Sequence, residues 1–132
     1  MEKLIIIIEK SSDYYDAYAD NCDGIYGAGN TVEEAKKNVL EGLRLFINTR
    51  KEEELPEILK GDYEIVYKFD AQTFLKYYEG IFNKPALEKL TGINQKQLHH
   101  YASGLRKPRL AQREKIGLAL HNLGKELISI EL

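Results

Sequence analysis

Hydrophobic residues change their spacing along this chain at Asp70. Before it, apart from one helical stretch, apolar side chains alternate in short runs bounded by turn residues, which is the period of a strand. After it they recur every three to four residues, the period of a helix. A segment patterned for a half-buried sheet and a segment patterned for packed helices bury their apolar faces in different ways. The 132 residues therefore divide into an α+β domain over residues 1–70 and a helical domain over residues 71–132.

In the first segment, Lys3–Lys10 is apolar on both alternations, with Leu4, Ile6 and Ile8 on one side and Ile5 and Ile7 on the other. That pattern predicts a central strand covered on both faces. "SSD" is a turn, Tyr14–Ala19 a second strand, Asp20–Gly24 another turn, and Ile25–Ala28 a third strand. Thr31 with Glu34 three residues on forms a capping box. Val32, Ala35, Val39, Leu43 and Phe46 then follow at helical spacing to about Asn48. "KEEELPEILKGD" reads as a connector with at most a short helical turn, and Tyr63–Phe69 as a fourth strand with Tyr63, Ile65, Tyr67 and Phe69 on one face. The order is β-β-β-α-β.

In the second segment, Asp70 caps a helix carrying Phe74, Leu75 and Tyr78. Pro85 suits the first position of a second helix that runs to Thr91. Gly92 supplies a sharp turn, and Asn94 caps a third helix ending near Ser103–Gly104. A fourth helix spans about Leu110–Leu123 and buries Ile116, Leu120 and Leu123. The tail "ELISIEL" alternates again, which predicts a C-terminal strand whose edge, Leu127–Leu132, is an attractive pairing element.

The formal net charge of −2 hides an asymmetry. Residues 1–79 carry 10 Lys/Arg against 17 Asp/Glu, whereas residues 80–132 carry 9 against 4. An acidic half joined to a basic half points to two tasks, one of them on a polyanion. With 43% hydrophobic and 30% charged residues the chain is patterned to fold. Its longest apolar run, Leu4–Ile8, is too short to span a bilayer and has no signal-peptide flanks. Cys22 is the only cysteine, so no intrachain disulfide forms. These features together predict a cytoplasmic protein with no membrane partner.

Catalytic chemistry finds little support. The first segment has no histidine to activate a nucleophile, and the acidic loop around Cys22 raises a thiol pKa. "GIYGAGN" lacks the lysine and glycine spacing of a phosphate cradle. Asp13, Asp16, Asp20 and Asp23 lie around turns without the pattern of a calcium loop. His99 and His100 project about 100° apart on a helix, with no third ligand near in sequence. No catalytic residue, cofactor or metal site is predicted.

The helix pair about Gly92 carries the more specific signal. With Leu87, Leu90, Ile93, Leu98 and Tyr101 turned inward, Gln95, Lys96, His99 and His100 face outward and Gln97 to the side. Glutamine pairs bidentately with adenine and lysine donates to guanine, so these four are candidate base-reading residues. Lys84, Arg106, Lys107, Arg109 and Arg113 are candidate phosphate contacts.

Leu87-x-x-Leu90-Thr91-Gly92-Ile93-x-Gln95-x-x-Leu98-x-x-Tyr101-x-x-Gly104-x-x-x-Pro108 resembles the lambda-repressor-like (Xre) helix-turn-helix family over about residues 71–123. The resemblance implies base contacts from Gln95, Lys96 and His100, and two-fold pairing on a palindromic operator. Glu88 departs from the pattern, standing where the family prefers a small residue; its length allows it to reach outward. Over residues 1–70, Tyr18-Ala19-Asp20, Gly24, Gly29-Asn30-Thr31, Glu34-Ala35 and Leu43 resemble the N-terminal domain of HicB antitoxins. The usual proline of that family's loop is missing from "ADNCDGIYG". This second resemblance implies a reduced RNase H-like sheet without catalytic carboxylates. It also implies a small basic partner, the mRNA-cleaving toxin HicA, for which Asp13, Asp16, Asp20 and Asp23 are candidate contacts.

Together the two resemblances imply an antitoxin that masks a toxin and, as a homodimer or higher homo-oligomer, represses its own operon. Two other classes stay open. One is a stand-alone regulator whose front domain dimerises or senses a ligand. The other is an RNase H-like enzyme, which needs two or more carboxylates gathered on strand ends, where the first strand offers only Glu9.

Overall fold

The computed structural model describes all 132 residues as an α+β protein with one four-stranded mixed sheet and six helices. It separates into two compact units, Met1–Asp70 and Ala71–Leu132.

The sheet belongs to the first unit. Its strands are β1 (Glu2–Lys10), β2 (Tyr15–Ala19), β3 (Tyr26–Gly29) and β4 (Tyr63–Phe69), in the order β3-β2-β1-β4. β1 runs antiparallel to β2 and parallel to β4, and β2 runs antiparallel to β3. The apolar run of the sequence is thus an inner strand. Asn21 extends its pairing: the side-chain oxygen accepts from the Ile5 N–H (3.0 Å) while its amide donates to the Lys3 carbonyl (2.7 Å).

One face of β1 is sealed, with Leu4, Ile6 and Ile8 fully buried. The other face departs from expectation, since Ile5 and Ile7 are only half-buried. A helical layer packs on the sheet, and Ile5 and Ile7 lie beside strand neighbours, Val66 and Tyr18 in register.

That layer is α1 (Val32–Asn48), which begins where the Thr31 side chain accepts from the Glu34 N–H (3.1 Å). Its stripe of Val32, Ala35, Val39, Leu43 and Phe46 is buried. Small residues on the strands beneath set how closely it docks. A Cβ on Gly27 would lie 2.3 Å from the Val39 nitrogen, and one on Gly29 2.6 Å from the Ala35 nitrogen. Only glycine permits this approach of helix backbone to strand. After α1 the acidic connector forms a 3-10 turn at Glu52–Glu54 and α2 (Glu57–Lys60), whose Leu59 is buried.

The second unit is helical: α3 (Ala71–Tyr77), α4 (Lys84–Thr91), α5 (Gln95–Ser103) and α6 (Leu110–Ile128). Leu75, Leu87, Ile93, Leu98, Tyr101, Ala102 and Ile116 form its core, with Phe74, Phe82 and Leu120 packed against them. The expected C-terminal strand is absent. α6 runs on to Ile128, Ser129 caps it, and the Ile130 N–H still donates to the Leu127 carbonyl (3.2 Å). Leu120, Leu123 and Leu127 recur at three and four residues, so a pattern that alternates locally in "ELISIEL" is also the end of a helical stripe. Leu120 and Leu123 are only partly buried, and of the stripe expected to bury three residues only Ile116 is enclosed.

Candidate nucleic-acid interface

The site is built around two glycine-terminated helices. Asn83 caps α4 by accepting from the Ala86 N–H (2.8 Å), with Pro85 following in the first turn, where a missing N–H costs nothing. Gly92 ends α4 at φ +77°, the left-handed conformation, and donates to the Glu88 carbonyl (2.8 Å). Thr91 locks the same turn from within: its buried hydroxyl donates to the Leu87 carbonyl (2.7 Å) and accepts from the Ile93 N–H (3.1 Å). The chain thereby reverses and delivers Ile93 into the core. Asn94 then caps α5 by accepting from the Gln97 N–H (2.8 Å).

No residue of the first turn of α5 is acidic, and the one carboxylate bonded to that turn comes from α4. Gln95 and Lys96 stand exposed on that turn and His99 one turn later. Gln97 is held to the side, donating to the Tyr101 hydroxyl (2.8 Å). His100 differs from expectation. It is half-buried, and its Nδ1 is enclosed without a hydrogen-bond partner, so only part of the ring is presented outward. The two histidine ring centres lie 6.5 Å apart, and no cluster of three or more His, Cys, Asp or Glu is placed to hold a metal ion.

Glu88 is half-buried and turns to the exposed side of its helix. Its carboxylate accepts from the side-chain amide of Gln95 (3.0 Å), bridging α4 and α5. An anion can only accept, so this bond decides which end of the Gln95 amide is which. One N–H is committed to Glu88, while the carbonyl oxygen and the second N–H stay available.

The cations lie downstream. α5 ends at Gly104, with φ +81°, where a Cβ would meet the Gln72 side chain at 2.8 Å. The Arg106 N–H then donates to the His100 carbonyl (3.2 Å), folding the loop back on the helix end. Arg106, Lys107 and Arg109 are exposed in this loop, and Arg113 is exposed in the first turn of α6. None of them joins an ion pair such as Arg44–Glu41 or Lys60–Glu57. Lys84 is half-buried at the start of α4. Lys115, which the sequence pattern did not single out, comes from α6 to lie beside Gly92.

The four candidate aspartates of the first unit, Asp13, Asp16, Asp20 and Asp23, are spread along the chain on either side of and within β2. Asp13 precedes β2, whereas Asp20 and Asp23 follow it. Asp16 lies within β2 and is already engaged, accepting from the Ser11 hydroxyl (2.9 Å) and the Tyr26 hydroxyl (2.7 Å). Tyr18 donates to Glu9 (3.4 Å) from the same side of the sheet. The hydrogen bond to Asp16 raises the Tyr26 phenol above its ordinary range; burial, then Glu9, does the same for Tyr18. Sequence spacing missed this group because its members meet across strands. Burial, with Asp23 close by, raises the Cys22 thiol, which makes it a poor nucleophile.

No family model, curated protein or solved structure matches the chain. No helix is long and apolar enough to cross a membrane.

Proposed function

We propose that the protein is a HicB-like antitoxin that neutralises a small basic ribonuclease toxin and represses its own operon through a helix-turn-helix domain. The observation that carries the DNA-binding half is the α4–Gly92–α5 turn. It exposes Gln95 and Lys96 at a capped helix start with no acidic residue of its own and His99 one turn later, with unpaired Arg106, Lys107, Arg109 and Arg113 close behind in the chain. α5 is the recognition helix in this reading, and the cations hold phosphates. The antitoxin half is supported by charge. The unit Met1–Asp70 has 9 Lys/Arg against 16 Asp/Glu, and Ala71–Leu132 has 10 against 5. An acidic surface steers a basic partner, and a basic one steers DNA. The mechanism is stoichiometric binding, with no bond made or broken.

The test is selection of binding sites from a random duplex library by the full chain, followed by titration at several salt concentrations. Enrichment of a two-fold symmetric site is expected, with affinity falling steeply as salt rises. For Arg106→Ala the slope of log affinity against log salt should shrink by about 1, the signature of one lost phosphate contact. No enrichment, or binding without salt dependence, would remove the repressor role.

A further inference from the structure

We infer that the face of the sheet turned away from α1 is a docking surface for a basic protein, anchored by an arginine held between Glu9 and Asp16. Strand register builds this face. Gly27, which lies against α1, is in register with Ala17, and Ala17 with Ile8. That row belongs to the α1 side, so the alternate residues Ile5, Ile7 and Glu9 point the other way. Register sets Val66 beside Ile5, Tyr18 beside Ile7 and Tyr26 beside Tyr18. Ile5, Ile7, Val66 and Tyr18 are half-buried, and Tyr26 is 56% exposed. An aliphatic floor that runs into two aromatic rings is thus within a partner's reach.

One row farther along the same face, Glu9 stands directly opposite Asp16. Such a pair has its Cβ atoms about 5 Å apart, and like charges so placed destabilise a sheet. Neither carboxylate joins an ion pair such as Arg44–Glu41 or Lys60–Glu57, and the cations of the face, Lys3 and Lys68, make none with them. Their bonds are to hydroxyls instead. Asp16 accepts from Ser11 (2.9 Å) and Tyr26 (2.7 Å), and Glu9 accepts through one oxygen from Tyr18 (3.4 Å). A carboxylate can accept at about four positions, so both groups are oriented and still have room for a cation.

Charge and shape together select the occupant. A guanidinium is planar, donates to two carboxylates at once and stacks on tyrosine, none of which an ammonium does as well. The aliphatic floor calls for apolar side chains around that arginine, which a free cation lacks and a protein surface supplies. The surplus of Asp and Glu over Lys and Arg in Met1–Asp70 steers a basic partner to the same unit. The inference rests on the antitoxin reading only for the partner's identity, which under that reading is the toxin; the preference for arginine is independent of it. Of the four aspartates expected from the sequence, Asp16 alone lies in a strand of this face, and its companion is Glu9.

The test titrates the full isotope-labelled chain with the peptide acetyl-Leu-Arg-Leu-amide and with its lysine counterpart, read by amide chemical shifts. Shifts are expected along Ile5–Glu9, Asp16–Tyr18 and at Tyr26. None are expected at Glu52–Glu54, exposed carboxylates that are not on the sheet. The arginine peptide should bind about three- to fivefold more tightly than the lysine peptide, the size of an exposed ion pair, and Glu9→Gln should remove that margin. The same variant keeps an oxygen for the Tyr18 hydroxyl and relieves the repulsion with Asp16, so chemical denaturation should find it at least as stable as the unsubstituted chain. Equal affinity for the two peptides, shifts as large at Glu52–Glu54, a margin that survives Glu9→Gln, or a less stable Glu9→Gln chain would each overturn the assignment. So would the same shifts on concentrating the chain alone, which would give the face to a second copy. A lysate that yields no toxin would remove the antitoxin reading and leave the arginine result standing.

Discussion

In the proposed reading of α5 as a recognition helix, single side chains decide whether it reads sequence or only touches DNA. Gln95 is pre-oriented by Glu88, so the order lost when a base binds is partly lost already. Glu88 is also an anion beside the proposed phosphate-binding surface, and in that reading it opposes non-specific binding. Gln95→Ala is expected to cost roughly 1–3 kcal/mol on the preferred site and little on random duplex. Glu88→Ala is expected to tighten random-sequence binding while narrowing the gap to the preferred site. Competition titrations with both duplexes separate the two effects; equal losses on both for Gln95→Ala would remove its base-reading role. The outward positions Gln95, Lys96 and His99 were legible from the cap, the glycine and the inward leucines. The Glu88–Gln95 bond was not, because the partners lie seven residues apart across a turn whose geometry spacing alone leaves open. The half-burial of His100 was not legible for a related reason: helical phase places it at the edge of the outward arc, where packing rather than periodicity decides burial.

Among the elements, the contact of α1 with the sheet is the most sharply specified. At Gly27 an added methyl would collide with helix backbone rather than with a movable side chain. Gly27→Ala should destabilise the first unit by at least the ~1–3 kcal/mol usual for overpacking. Thr31→Ala, which removes only the cap, should cost about 1 kcal/mol. Chemical denaturation of both variants measures the difference, and a Gly27→Ala protein as stable as the unsubstituted chain would mean that α1 does not sit this close.

The tyrosines of the same unit bear on its stability at alkaline pH. Tyr18, Tyr26 and Tyr67 all have phenols raised above the ordinary value, so the folded state holds their protons more tightly than the unfolded chain does. Stability from this source is intact below the unfolded tyrosine pKa of about 10 and is lost as pH climbs through the raised folded values. Denaturation midpoints should therefore fall as pH rises from about 10 upward, and less steeply in Tyr26→Phe, which removes one of the three groups. A fall of equal steepness would show that Tyr26 takes no part. The strands and α1 were readable because alternation, caps and helical stripes are local signals. The tail was not: a short apolar alternation fits a strand and a helix end alike, and the continuation of α6 through Gly124 settled it.

For the molecule as a whole, the division at Asp70 coincides with the divide in charge, and each unit has its own core. A chain so divided is suited to holding two partners of opposite charge at once, and the proposed function rests on that pairing of tasks. The sequence period marked both units, whereas the Asp16–Tyr26 and Glu9–Tyr18 pairs on the sheet became visible only once strand register was known. The most direct measurement is affinity capture of the tagged full chain from native lysate at moderate salt, with mass spectrometry of what is retained and a ribonuclease assay on it. The expected result is one small basic protein in stoichiometric yield, silent as a ribonuclease in the complex and active once separated. Retention of DNA with no such protein would contradict the antitoxin role and leave a regulator whose acidic unit serves another purpose.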